Sequence, residues 1–209
     1  MRNSINPLAF YLFFILVIGC LIFSDYQQHI QVEVQVEKTE RTIETSEVKE
    51  NKVIEDRLAT MTLEEKVGQL FWARVPSEHQ IEDLQSYHLS GYILFGRDFE
   101  GRNIEDIKAL TKGYQAAAKI PLLIGSDEEG GTVTRISSIL GTPFQSPMTL
   151  YHQGGMEAVL SDTKQKAELL KSVGINAGLF PVADLARDQS AFIYDRTIGQ
   201  DAQTTASYV

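Results

Sequence analysis
The sequence is poor in several kinds of residue, and each shortage closes off a class of function. One cysteine in 209 residues forbids an intrachain disulfide and any zinc site built from clustered thiolates. Four scattered histidines offer no metal-ligand spacing, and nothing else in the chain calls for a metal or a cofactor. Basic residues are scarce relative to acidic ones, 19 against 28, for a net charge of −9. Nucleic-acid binding needs a basic face, so that class is excluded. Six prolines and a hydrophobic content of 43% are ordinary globular values and exclude collagen-like or wholly disordered chains. The length allows one domain with appendages.

One long apolar run is present, at the start. Leu8 to Phe23 reads LAFYLFFILVIGCLIF, preceded by Arg2 and followed by Ser24 and Asp25. At 16 residues it lies between the core of a signal peptide and a spanning helix, and it lacks the polar face of a buried globular helix. Residues 1–24 are therefore read as a signal-anchor or a lipoprotein signal. Val17-Ile18-Gly19-Cys20 resembles a bacterial lipobox, with Cys20 as the lipidated residue. Against this, Leu21-Ile22-Phe23 continue the apolar run past the cysteine, as an uncleaved anchor would. Either version places the protein on the outer face of the bacterial cytoplasmic membrane, tethered or secreted, with the membrane as a partner. Residues 25–55 are rich in Glu, Lys, Gln and Thr and read as a polar stalk. The alternation from Ile30 to Glu37 fits one short strand, and its mixed charges fit a solvated spacer.

Residues 56–209 carry an α/β pattern. Thr62 and Glu65 form a capping box ahead of Leu63, Val67, Leu70 and Phe71 at helical spacing. A second helix follows Ser77 and uses Ile81 and Leu84. Tyr92–Phe95 is a strand. Asn103 caps a helix whose inner face is Ile104, Ile107, Leu110 and Tyr114. Ile120–Ile124 is a second strand, Met156–Val173 a long helix ending near Gly174, and Asn176–Val182 a third strand. Strands alternating with helices imply a parallel sheet. Both a doubly wound sheet and a (β/α)8 barrel satisfy the pattern. The 154 residues from 56 to 209 fall short of the roughly 250 of a full barrel, so a barrel would be incomplete in this chain.

Polar residues cluster after the strands, where ligands bind in both folds. The second strand runs into Ser126-Asp127-Glu128-Glu129-Gly130-Gly131-Thr132-Val133-Thr134-Arg135. A carboxylate there can accept sugar hydroxyls while glycines admit a ligand close to backbone. A solvated acidic turn is the bland alternative. A phosphate cradle is disfavoured, because no P-loop lysine follows and the acids repel phosphate. The third strand leads to Asp184, Arg187 and Asp188, and then to Asp195-Arg196-Thr197-Ile198-Gly199. A guanidinium can grip a sugar hydroxyl or acyl carbonyl. The bland readings are that Asp184 caps a loop, Asp195 orients Arg196, and Arg97 is a solvated surface residue.

Five segments, MTLEEKVGQLF (61–71), GYILFGRDFEG (91–101), IPLLIGSDEEGGTVTRI (120–136), VGINAGLFPVADL (173–185) and DRTIG (195–199), resemble glycoside hydrolase family 3 in order and spacing. The resemblance is to its N-terminal barrel domain and to the bacterial β-N-acetylhexosaminidase branch. It implies an α/β fold, the N-terminal part of a TIM-type (β/α)8 barrel, and retaining hydrolysis of terminal β-linked N-acetylhexosamine from cell-wall-type glycans. A carbohydrate is then the partner, and no cofactor is needed. By the same resemblance Asp127, Arg135 and Arg196 are substrate-binding residues. Glu128 and Glu129 do not suit the catalytic pair, because adjacent residues rarely set two carboxyls about 5 Å apart across one bond. The branch's Lys-His-Phe-Pro-Gly-His-type segment is not found, and the catalytic residues are expected beyond Val209. A β-glucosidase of the same family and a non-catalytic, truncated carbohydrate-binding surface protein are the competing readings.

The apolar run leads to a direct test. The chain is expected in the membrane fraction, and its presence in the soluble cytoplasm would refute the tether. Cys20→Ser leaves an anchor in the membrane, whereas it removes the acyl label from a lipoprotein.

Overall fold
The computed structural model describes Gln35, Lys49, residues 51–186 and residues 188–209. The apolar run, Cys20 and all of the 30–37 alternation except Gln35 lie outside these residues, as does Arg187. The chain divides into two units, Met1–Met61 and Thr62–Val209. In the first, residues 51–60 are helical, so a helix covers the last part of the expected stalk. Among the described residues no helix is long and apolar enough to cross a membrane.

The second unit holds the sheet. Helix α1 (Leu63–Gly68) starts at the capping box read from sequence: Thr62 accepts from the Glu65 amide, and Glu65 accepts from the Thr62 amide. Strand β1 (Trp72–Arg74) leads to α2 (Gln80–Ser86), β2 (Gly91–Leu94), the short α3 (Gly96–Phe99) and α4 (Ile104–Ala117). Then follow β3 (Leu123–Ser126), the single turn α5 (Ile136–Ile139), α6 (Pro147–Ser172), β4 (Ala177–Gly178), a 3-10 turn at Tyr194–Arg196, and α7 (Ala202–Tyr208). Asn103 caps α4 with a second reciprocal box through Asp106.

All the strands pair in parallel, in the order β1-β2-β3-β4. A doubly wound sheet reverses its strand order at a switch point. This one runs straight through, as the successive βα units of a barrel do. The ambiguity left by periodicity is resolved in favour of the barrel.

Several boundaries differ from expectation. Among the described residues four strands replace three: Trp72–Arg74 carries no apolar run, and it is a strand because β2 offers it hydrogen bonds along Trp72↔Gly91 to Arg74↔Ile93. The strand expected over 176–182 is two residues long, although the Leu179 amide still reaches the Ser126 carbonyl. The long helix runs from Met156 as expected, and a short additional helix precedes it, with Ser146 as its cap and Pro147 in its first turn. The two helices, taken together here as α6, are separated at Gly154 and Gly155, which leave helical geometry. The apolar side chains of Leu63, Val67, Leu70 and Phe71 point outward rather than into the core.

The core lies between the sheet and α2, α4 and α6. Tyr92, Leu94, Phe99, Ile107, Ile124, Ile136 and Val173 are fully buried. Close packing sets two glycines in the strands. A Cβ on Gly91 would come within 1.8 Å of the Leu123 carbonyl oxygen, and one on Gly125 within 2.1 Å of the Trp72 ring. Asn176 ties the β3 edge down, accepting from the Ile124 amide at 2.8 Å and donating to the Leu122 carbonyl at 2.9 Å. Tyr92 and Tyr114 meet edge to face at 5.3 Å, and each donates to Gln80 at 2.6 Å.

Burial pushes both tyrosine hydroxyls up to about 12, with nearby acids adding to the effect. A raised folded-state value means that the folded chain keeps protons the unfolded chain releases near pH 10. The stabilisation is therefore fully present below about pH 10 and lost as pH rises toward 12. The urea midpoint is expected to fall between about pH 10 and 12, and Tyr92→Phe is expected to make that fall shallower; an unchanged slope would contradict the linkage.

Candidate functional site
The loop between β3 and α5, residues 127–135, presents three carboxylates in a row at the carboxyl end of the sheet. It closes on itself through Gly130 and Val133, whose amides and carbonyls pair at 3.0 and 3.3 Å. Gly130 and Gly131 have φ of +94° and +63°, a region that side chains disfavour. A Cβ on Gly130 would also strike the Gln145 carbonyl oxygen at 2.1 Å. The loop is a packed turn, not a loosely solvated one.

Each carboxylate has its own partner. Asp127 takes the Arg135 guanidinium side-on, Oδ1 accepting from Nε at 2.7 Å and Oδ2 from Nη2 at 2.5 Å. Both side chains remain partly open to solvent, at 17% and 21%. Arg135 also lies over the Phe95 ring, 5.8 Å from its centre, which brings the end of β2 to the pair. Glu128 is fully buried and turned inward. Its Oε2 accepts from the amides of Arg135, Ile136 and Ser137, and its Oε1 from the Ser137 hydroxyl at 2.5 Å. It serves as the N-terminal cap of α5, where exposed amides and a carboxylate satisfy each other.

Glu129 reaches across the fold. Its two oxygens accept from Arg196 Nε at 2.8 Å and Nη2 at 2.7 Å. Glu129, rather than neighbouring Asp195, orients this arginine. The Glu129 hydrogen bonds raise the Arg196 guanidinium's hold on its proton, and the fields of Glu129, Asp127 and Asp184 act in the same direction. Phe192, 86% exposed, lies 5.5 Å from the Arg196 guanidinium.

The three residues read from sequence therefore fall into two adjoining ion pairs. Asp127 and Arg135 are in direct contact, and Arg196 is held two loop positions away. Sequence reasoning missed the Glu129–Arg196 pair, because the partners are 67 residues apart and Glu129 looked like one more acid in a turn. Arg97 is less solvated than its bland reading: it donates to the Val75 carbonyl and so joins the end of β1 to the start of α3. It lines a cavity of about 230 Å3 with Ser77, Gln80, Asp98 and Arg102, apart from Asp127, Arg135 and Arg196. Among the described residues no group of three His, Cys, Asp or Glu side chains is gathered to hold a metal ion.

Parallel strands taken in chain order, helices between them and a charged cluster at the strands' carboxyl ends define the N-terminal part of a TIM-type barrel with its polar face formed. The profile of the glycosyl hydrolase family 3 N-terminal domain matches residues 62–209, and the chain belongs to that family. A protein named β-hexosaminidase from Xanthomonas campestris is 33% identical over 130 residues, covering 60% of this chain and 38% of its own length. This chain thus spans about two fifths of the curated relatives it matches. A family 3 β-N-acetylglucosaminidase from Paenibacillus superposes with a TM-score of 0.63 at 26% identity, over 71% of this chain and 30% of that one. A family 3 glycosyl hydrolase from Mycobacterium smegmatis shares the fold with a TM-score of 0.62 at 22% identity, over 72% of this chain and 46% of that one.

The Glu128 geometry predicts a stability effect. Glu128→Gln removes the negative charge shared by four donors and turns an amide toward backbone N–H groups. It is expected to lower stability by about 2–3 kcal/mol, since hydrogen bonds to charged groups are the stronger kind. Thermal unfolding checks this; an unchanged midpoint would show that the cap is dispensable.

Proposed function
We propose that this chain supplies the sugar-binding wall of a retaining glycoside hydrolase that removes terminal β-linked N-acetylhexosamine from cell-wall-type glycans. The observation that carries the reading is the Asp127–Arg135 pair. It stands at the carboxyl end of β3, where barrel enzymes bind substrate, and it keeps partial exposure. Asp127 has oxygen lone pairs left to accept sugar hydroxyls. Arg135 and Arg196 each keep Nη protons beyond those given to their carboxylates. Such donors suit hydroxyls and an acetamido carbonyl. Relatives named β-hexosaminidase and β-N-acetylglucosaminidase support this choice of sugar.

Binding, not bond breaking, is the role assigned to these residues. A retaining mechanism needs two carboxyl groups about 5 Å apart across the scissile bond. Glu128 is sealed beneath α5 and Glu129 is committed to Arg196, so neither can attack or protonate a glycoside. The nucleophile and acid/base are assigned to parts of the enzyme outside the described residues. The apolar run at residues 8–23 supports an extracytoplasmic setting, where cell-wall glycans are found.

In an intact enzyme carrying this domain, Asp127→Ala is expected to lower kcat/KM by about two orders of magnitude, ~3 kcal/mol, because a charged acceptor is lost and Arg135 is left unpaired. An unchanged kcat/KM would refute the assignment. Turnover of a chromogenic N-acetyl-β-glucosaminide by the 209-residue chain, abolished in Glu128→Gln or Glu129→Gln, would show that the catalytic groups lie in this loop after all.

A further inference from the structure
A buried ion pair interrupts the apolar stripe of α6. The buried residues of that helix include Val159, Asp162, Lys166 and Leu170, so the two charges sit between two hydrophobic anchors. Lys166 is 3% exposed. Its Nζ lies 2.6 Å from Asp162 Oδ2, one turn back, and it donates to the backbone carbonyl of Glu129 at 2.7 Å. The rings of Phe144 and Phe180 flank it, with centres 5.5 and 5.9 Å away.

Such a pair is costly to bury, and aliphatic residues at the same places are often as stabilising or more so. Packing alone does not call for it. What an aliphatic side chain would lose is the donor to the Glu129 carbonyl. That peptide is held from below by Lys166, while the carboxylate of the same residue turns to Arg196. The next residue fits only as glycine: a Cβ on Gly130 would stand 3.1 Å from Lys166 Nζ as well as striking the Gln145 carbonyl. The lysine is the seat on which the acidic turn rests.

We propose that Lys166 is a positioning residue for the sugar site: by fixing the Glu129 peptide it aims the Glu129 carboxylate, and through it the Arg196 guanidinium. The proposal rests on the reading of Arg196 as a substrate-binding residue. It gives the buried lysine a directed role, one that bears on Arg196 and not on Arg135, whose partner Asp127 has no contact with Lys166.

The difference between the two arginines is the test. In 15N NMR of the 209-residue chain, Lys166→Met is expected to speed solvent exchange of the Arg196 Nε–H by about tenfold and leave that of Arg135 nearly unchanged, as a local rather than global opening does. Lys166→Arg, which keeps a charged donor for the Glu129 carbonyl, is expected to restore most of the protection. Equal acceleration at both arginines would reduce Lys166 to a packing residue and overturn the proposal, as would no change at Arg196. If Lys166→Met does not fold, the wild-type chain decides: a coupling across the hydrogen bond from Lys166 Nζ to the Glu129 carbonyl carbon supports the proposal, and its absence in the folded chain defeats it. N-acetylglucosamine, added as a probe, is expected to shift the Arg196 signal in the wild type and much less in Lys166→Met. No shift in the wild type would count against the carbohydrate reading, while the exchange rates would still judge Lys166.

Discussion
Three adjacent carboxylates leave β3 together, and the need of each for its own partner is the constraint around which the site is built. Buried or half-buried acids without partners would carry a desolvation penalty that no nearby hydrophobic contact offsets. The fold gives each a separate answer. Asp127 uses a guanidinium eight residues on, Glu128 the start of a helix, and Glu129 a guanidinium 67 residues on. These answers in turn fix other parts. The single turn α5 begins where Glu128 needs donors, and the 3-10 turn at Tyr194–Arg196 is docked by Glu129. A further charge, Lys166, reaches up from α6 to the loop's backbone.

The charged layer stands on an apolar one. Leu94 at the end of β2, Ile124 within β3 and Ile136 at the start of α5 are fully buried, and Ser126, the last residue of β3, gives its hydroxyl to the Leu94 carbonyl at 3.0 Å. The base of the loop is thereby tied to two strands before any charge is placed. Rigid support of this kind is what lets paired side chains hold a binding geometry rather than sample many.

Much of this was legible in the sequence wherever the signal was local. The caps at Thr62 and Asn103 depend on residues three apart, and both appear as read. Asp127 and Arg135 lie within one motif and were both singled out there, though not as partners. Longer-range features were not legible. Trp72–Arg74 is a strand only because β2 lies beside it, and its composition says nothing of the kind. Asn176–Val182 is apolar enough for a strand, but apolarity does not supply a neighbour along its whole length. The helix from Met156 was legible, whereas the stretch from Pro147 to the kink at Gly154-Gly155 was not, being only about two turns long. Lys166 reads as an ordinary surface charge on a helix, because burial is decided by what packs against the helix.

The strand order has a consequence for how the chain is made. β1 meets β2 at Trp72↔Gly91, β2 meets β3 at Gly91↔Leu123, and β3 meets β4 at Gly125↔Ala177, so each strand is laid against the one synthesised just before it. No strand waits for a later one to separate it from a wrong neighbour. Loop-closure entropy rises only slowly with length, so the longer connection before β4 adds little to the closure cost. A chain leaving the ribosome can thus extend its sheet one edge at a time, and α5, which caps the acidic turn, is translated before Arg196.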